Sequence, residues 1–467
     1  MEPRSAFDNL RSKDLVPSDD DDNSDNNSIS KIATGANHSL VLFNSTDSVY
    51  GVGDNSRGQL LIESSETTSF ERVNLDLRQG YRVVDVAAGW ETSYFVQRHE
   101  SVAIEDRGFI SSPAETTTSQ SDLLIAIGSN DFGALGIGSV DAPAAVAPTV
   151  KGKEKKSIPS SPQQHTLSFN HLLPSESTCL VTSIATGINH VVLILGIYSK
   201  HRPPSQLILG WGSCRHGQLG PVSSSTPKPS LRPPKSSQQP PYKPKQPSSK
   251  SNPSTPQPPA FIPTPTVLQV NNPSPVKRVA AGSQHTILLH EDGTLTTWGS
   301  NRKNQHPLAH PPRIIDVECT WNGTYLVTQP SPDKGGTNWN VLATGSGAKG
   351  QLGRAALSSS SAPSSSASSP APALSSSDLL PVDLTLSDNP KIRKLACGSE
   401  HVLLLLGSET NGTTQLYVWG WNEHGNLGLN NNQDVFTPSH LPWTARGRIV
   451  DVWAGCGTSW LVVEEDD

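Results

Sequence analysis

The chain has 467 residues, yet hydrophobic residues make up only 34% and charged residues 17%, alongside 39 prolines and 37 glycines. Part of that length carries too little apolar surface to offset its ordering entropy, so the folded portion is smaller than the chain. A net charge of −6 excludes a whole-molecule field that would draw the protein to nucleic acid.

The amino end, residues 1–30, is acidic (Asp19 to Asp22, then Asp25) and predicts a disordered tail. It has no cationic start leading into an apolar run, and the longest apolar stretches, such as Val402 to Leu406, are strand-sized. Neither a secretory signal nor a membrane helix is predicted. The cysteines Cys179, Cys214, Cys319, Cys397 and Cys456 are scattered, odd in number and without a C-x-x-C pair, which suits the reduced thiols of a cytoplasmic or nuclear protein.

From Lys31 the chain repeats itself. A first half-motif runs apolar, x, x, Gly, x, x, His and then an apolar stretch: KIATGANHSLVL from Lys31, SIATGINHVVLIL from Ser183, RVAAGSQHTILL from Arg278 and KLACGSEHVLLLL from Lys394. Degenerate copies begin at Asp85 (DVAAGWETSYFV), Asp316 (DVECTWNGTYLV) and Asp451 (DVWAGCGTSWLV). Six second half-motifs, such as VYGVGDNSRGQLL from Val49 and LYVWGWNEHGNLG from Leu416, follow the first six. Short Val-, Ile- and Leu-rich strands broken by Gly and Asn turns predict all-β structure. Units too small to bury both faces must pack in a ring, so the sequence predicts a seven-bladed β-propeller over residues 31–463, with an acidic tail at 464–467. Proline- and serine-rich stretches at about 139–178, 221–275 and 354–390 predict long disordered inserts between repeats.

The Gly-x-x-His halves paired with G-x-N-x-x-G-Q-L-G halves resemble the regulator-of-chromosome-condensation repeat family, while the Gly-His and Trp-Asp signatures of Trp-Asp repeats are absent. In that family the amino-terminal segment supplies the missing second half, here a divergent SAFDNLRSKDLVP from Ser5. Several motifs (VVDVAAGWETS, GDNSRGQL, VWGWNEHGNLG, WAGCGTSWLV) further resemble the fungal alpha-tubulin suppressor, or killer-toxin-insensitivity, subfamily. That resemblance implies a scaffold paired with a small zinc-binding protein of diphthamide synthesis, supporting Elongator-dependent modification of tRNA wobble uridines. The alternative, from the family's founding member, is a guanine-nucleotide exchange factor for a Ran-like small GTPase.

No phosphate loop, nucleophile elbow or H-E-x-x-H occurs, so no catalysis and no cofactor or metal is expected. His38, His190, His285 and His401 lie a full repeat apart and cannot converge on one ion. With Gly35, Gly187, Gly282 and Gly398 they are structural repeat residues, each imidazole expected to bond backbone inside its own blade. Where the histidine is lost, tryptophan is gained: Trp90 and Trp321 within the loop, Trp453 and Trp460 beside it. These are either partner anchors or fillers of the space the histidine left. Glu91, and Trp421, Glu423 and His424 of GWNEHGN, complete the candidate interface. The lysines and arginines of the second insert (Lys228, Arg232, Lys235, Lys243, Lys245, Lys250) are read as a solvated linker rather than a nucleic-acid site.

Overall fold

The computed structural model describes residues 28–44, 48–102, 120–138, 163–221, 260–308, 311–330, 339–354, 379–384, 390–408, 412–443 and 447–464. Blade one is an antiparallel meander of β1 (Ile29–Thr34), β2 (His38–Phe43), β3 (Val49–Asp54) and β4 (Glu66–Arg72). Blade two holds β5 (Tyr81–Ala88), β6 (Thr92–His99), β7 (Leu123–Gly128) and β8 (His165–Ser168). Blade three holds β9 (Ser177–Thr186), β10 (His190–Ser199), β11 (Arg202–Ser213) and β12 (Phe261–Val267). Blade four has three strands, β13 (Val276–Ala281), β14 (His285–His290) and β15 (Leu295–Gly299). Blade five holds β16 (Ile314–Thr320), β17 (Gly323–Thr328), β18 (Asn340–Gly345) and β19 (Leu380–Pro381). Blade six holds β20 (Lys391–Cys397), β21 (His401–Gly407), β22 (Thr414–Gly420) and β23 (Val435–Leu441). A hairpin of β24 (Arg448–Ala454) and β25 (Ser459–Glu464) follows.

The expected seven blades are therefore corrected to six blades of three or four strands and a two-stranded hairpin. The reason lies in the half-motifs: third strands come from second halves, and the seventh first half has none after it. The candidate closing segment, SAFDNLRSKDLVP, lies outside the described residues. First strands pack side by side around a central axis, and β24 returns to β1, where Thr34 Oγ1 donates to the Ala454 carbonyl at 3.1 Å.

Second strands are continuous apolar runs because they are buried on both faces, between a first and a third strand. Third strands carry a glycine at or next to their last residue, opposite the residue that opens the second strand, as in Gly53 against His38. Gly53 has φ +105, and a Cβ there would stand 2.2 Å from the Asn37 carbonyl, so no other residue fits.

The inserts also need correction. They lie inside blades, between third and fourth strands, and they are shorter than composition suggested. Residues 163–178, 260–275 and 379–384, counted as insert, include the outer strands β8, β12 and β19. These strands are short and carry no repeat signature, which hides them in the sequence. The chain leaves the described blades at Gly138, Pro221 and Arg354 and re-enters at Gln163, Ala260 and Leu379. These points share one end of the ring with the Gly-x-x-His loops, because antiparallel pairing places both kinds of loop there.

Candidate protein-binding face

The Gly-x-x-His loops interlock the blades. Each imidazole reaches the hydroxyl that follows the corresponding position in the next blade. His38 Nε2 meets Ser93 Oγ at 3.0 Å, and His190 Nε2 meets Thr286 Oγ1 at 3.0 Å. His285 pairs with Thr324 at 3.2 Å and His401 with Ser459 at 3.1 Å. The expectation of a bond inside each histidine's own blade is thus overturned. Thr286, Thr324 and Ser459 donate their hydroxyl hydrogens to the carbonyls of Gln218, Gln305 and Asn426, so each must accept from an Nε2–H. Burial drives the His38, His190 and His401 imidazoles down to about 4 and His285 to about 3, so all four are neutral. The glycine three residues earlier makes room: a Cβ on Gly35 would lie 2.2 Å from the His38 ring and 2.5 Å from the Gly89 carbonyl.

Two seams use another device. Blades two and five carry Thr92 and Gly323 in place of histidine, and the next blades carry Val191 and Val402 in place of the hydroxyl. Here Tyr94 Oη and Trp211 Nε1 both donate to the Ala134 carbonyl at 2.7 Å. In the equivalent seam Tyr325 Oη (2.6 Å) and Trp419 Nε1 (2.8 Å) both donate to the Gln351 carbonyl. All four aromatic side chains are fully buried.

Around the axis, the residues four before the loop glycine, or before Thr320 in blade five, form a belt that is charged in every copy but blade three, which has Ser183. Lys31 pairs with Asp85 at 2.6 Å, Arg278 with Asp316 at 2.7 Å and Lys394 with Asp451 at 2.7 Å, each across a blade boundary. Arg278 also holds Glu318 at 2.9 Å, and burial raises the carboxyls of both Asp316 and Glu318. The belt lines an axial cavity of about 700 Å³.

At the loop end of that cavity the two loop tryptophans meet. Trp90 and Trp321 come from blades three steps apart, and their ring centroids lie 5.7 Å from each other. Their backbones are tied to neighbouring loops: Trp90 N–H donates to Ile188 and Trp321 N–H to Ser399. Trp90 remains 37% exposed and Trp321 half-buried. Glu91 faces Arg57 at 3.4 Å. Beside Trp321, Asn322 and Gln351 donate to the Glu400 carboxylate, whose pKa burial raises.

The third-to-fourth-strand loops crown the same face. In blades one, two, four and six an Asn at the start accepts the Leu or His N–H five residues on, as Asn55 Oδ1 accepts from Leu60 N–H at 2.8 Å. In blades one, three, four and five a Gln side chain accepts the N–H of the tip residue two before it: Arg57, His216, Lys303 and Lys349. With His424 in blade six, five of the six tips are basic. Blade two breaks the pattern with Phe132. Ala134 stands where the Gln would be, the tip loses its acceptor, and Phe132 adopts φ +62, uncommon for a bulky residue. Phe132 is 44% exposed and lines, with Trp90, Glu91, Arg57 and Asp131, a groove of about 240 Å³.

Of the candidate interface residues, Trp90, Glu91, Trp321, Trp421, Glu423 and His424 share this face. Trp421 stacks edge-on against His424 at 4.9 Å, and Glu423, its pKa lowered by the Lys349 hydrogen bond, sits 2.7 Å from that ammonium. Trp453 and Trp460 do not join them. Trp453 lies in β24 beneath the Lys394 ammonium, 3.5 Å from its ring centre, and Trp460 packs on Phe70 in β25. Sequence reasoning missed Phe132 and the basic tips, although aligning the six second halves exposes both. No group of three metal-ligating side chains forms among the described residues.

Residues 29–59 and 276–305 match one family model of the regulator of chromosome condensation (RCC1) repeat, and residues 415–462 match another. Among curated proteins, the ultraviolet-B receptor UVR8 of Arabidopsis thaliana is 26% identical over 206 residues, 41% of this chain and 40% of the receptor. The secretion-regulating guanine nucleotide exchange factor of Bos taurus is 31% identical over 179 residues, 35% of each chain. The matches thus span less than half of these relatives. Human WBSCR16 superposes with a TM-score of 0.59 at 16% identity, covering 94% of this chain and 87% of its own. Prp20p of Saccharomyces cerevisiae, described with its binding to Gsp1p and histones, gives 0.56 at 17% identity, covering 94% and 83%. At these identities the solved structures speak for the fold alone. The chain is a β-propeller, three stretches of which match models of the regulator of chromosome condensation repeat.

Proposed function

We propose that this propeller is a non-catalytic, protein-binding regulator that engages a Ran-like small GTPase through its loop face and promotes nucleotide exchange. The observation that carries the reading is the crown of basic tips, Arg57, His216, Lys303, Lys349 and His424, interrupted by the exposed aromatic pair Trp90 and Phe132. Aromatic anchors beside a polar rim of mixed charge, Arg57 against Glu91 and Asp131 and Lys349 against Glu423, suit a specific protein surface, the rings supplying contact energy. The likeness to a secretion-regulating exchange factor gives this partner class its support.

The narrower fungal reading, pairing with a small zinc-binding diphthamide-synthesis protein in the Elongator pathway, rests on motifs with a structural explanation in this fold. GWNEHGN forms a repeat turn held by Asn422, and WAGCGTSWLV supplies a strand hairpin. Those motifs therefore do not single out a partner.

Release of labelled GDP from a Ran-like GTPase tests the proposal. Stimulation by the chain, reduced about tenfold or more by Trp90→Ala or Phe132→Asp as for interface anchors, is expected. No stimulation, with a small zinc-binding protein recovered from cell extract on the same chain, would return the fungal reading to first place.

A further inference from the structure

Every first strand is bulged one residue ahead of the charged belt. Its ladder with the second strand skips Ser30, Thr182, Lys277 and Arg393 in the four blades that carry a loop histidine. In the other three sheets it skips Val84, Ile315 and Val450. A bulge releases a side chain from the pleat and re-aims it. Val84 and Ile315 join the apolar layers between blades, whereas Ser30, Thr182, Lys277 and Arg393 line the axial cavity. They stand at the end away from the loop face, because first strands run toward the Gly-x-x-His loops. The charges there do not cancel. Each carboxylate of the belt is held: Asp85 by Lys31, Asp316 and Glu318 by Arg278, and Asp451 by Lys394. Lys277 and Arg393 are left over. Both are exposed, and neither makes an ion pair or a side-chain hydrogen bond among the described residues. Arg393 is also seated, in room left by Gly407 of β21, where a Cβ would fall 2.1 Å from its Nε.

We propose that this end of the axial cavity binds a small molecule carrying linked phosphates, with Arg393 and Lys277 as its ligands. The two cations belong to blades six and four, so an anion that satisfies both must reach past blade five. That span suits a chain of phosphates better than a single one. The guanidinium fork of arginine matches phosphate oxygens, and lysine adds a mobile point charge. The cavity, about 700 Å³, lies in the size range of small-molecule pockets. Its low-dielectric walls strengthen the attraction of the surplus cations for an anion. A cationic ligand would find no carboxylate of the belt unmatched. The site lies at the opposite end of the ring from the loop face and stands apart from the GTPase reading.

Isothermal titration of the full-length chain with tripolyphosphate and with ATP, both free of magnesium and at low salt, tests the site. Saturable binding of one molecule per chain is expected. Lys277→Gln combined with Arg393→Gln should weaken it tenfold or more, while Arg393→Lys alone, which keeps the charge and loses the fork, should weaken it only several-fold. The control pair Lys200→Gln with Arg202→Gln removes the same charge from the exposed hairpin between β10 and β11, at the same end of the ring but off the axis. It should change the affinity less than twofold, with the melting temperatures of all variants matching the parent. Equal affinity for the two probes would assign the site to phosphate chains as such, and tighter binding of ATP would assign it to nucleotides. No binding by the full-length chain, or an equal loss in both charge pairs, would overturn the proposal.

Discussion

Two kinds of boundary account for six of the seven junctions of this ring, and at the seventh, between the hairpin and blade one, Thr34 donates to the Ala454 carbonyl. Four are bridged by a neutral histidine reaching a hydroxyl of the next blade. Two, between blades two and three and between blades five and six, are clasped by a tyrosine and a tryptophan that share one carbonyl. At these two the substitutions are concerted: the histidine is replaced, the hydroxyl opposite becomes valine, and Tyr94 with Trp211, or Tyr325 with Trp419, takes over, whereas at the hairpin Thr458 replaces the histidine while Ser39 stays in blade one. Decay of the repeat motif therefore marks a different joint, not a weaker one. The aromatic joints also coincide with the loops that place Trp90 and Trp321 on the open face. At the first of them a buried pair adds to the clasp: Arg98 forks onto Asp122, and both reach the Val181 backbone of the next blade.

The sharpest way to separate the two joints is acid. The four histidines have folded pKa values lowered to about 3 or 4 from 6.5, so the unfolded chain takes up protons that the folded ring refuses. Their stabilisation is complete above pH 6.5 and is lost as pH falls from there toward 4. Each histidine contributes a slope of up to about 1.4 kcal/mol per pH unit in that window, roughly 5 to 6 for all four, readable as a shift in urea midpoint. The tyrosine–tryptophan clasps do not titrate in that range.

A cut at one joint of each kind follows. His190→Ala removes a buried ring and leaves Thr286 without its donor, which should cost about 2–4 kcal/mol and remove about a quarter of the acid slope. At the clasp, Tyr94→Phe and Trp211→Phe should each cost about 1 kcal/mol without changing that slope. The pair should exceed the sum by about 1 kcal/mol, because only the double variant leaves the Ala134 carbonyl bare. An additive result would mean that the shared carbonyl is not what couples the two rings.

The smallest effect is on the open face. Trp90→Ala should change stability by less than about 0.5 kcal/mol, the range of exposed sites, while still reducing nucleotide release. Trp453→Ala should do the reverse, since that ring lies under Lys394 in the axial cavity.

Much of this architecture was legible. The all-β class, the repeat and its copies follow from half-motifs that the eye can align, because each strand carries its own apolar run and turn. The joints were not, since they link residues from 39 to 96 positions apart: His285 with Thr324, His190 with Thr286. No local periodicity records such a partner. The outer strands β8, β12 and β19 escaped because they follow proline- and serine-rich chain and hold only a few ladder bonds. Phe132 escaped for a subtler reason: its left-handed backbone state and its exposure appear only in the folded loop.

The charged belt carries an arithmetic of its own. Going round the axis, its members read Lys31, Asp85, Ser183, Arg278, Asp316, Lys394 and Asp451 before returning to Lys31. Signs can alternate without conflict only on an even circle, and seven sheets make an odd one. Whichever charge stood at position 183 would be flanked by one opposite and one like neighbour, Asp85 on one side and Arg278 on the other. Serine leaves that vacancy neutral, so the parity of the ring, rather than any local preference, decides where the belt must be left uncharged.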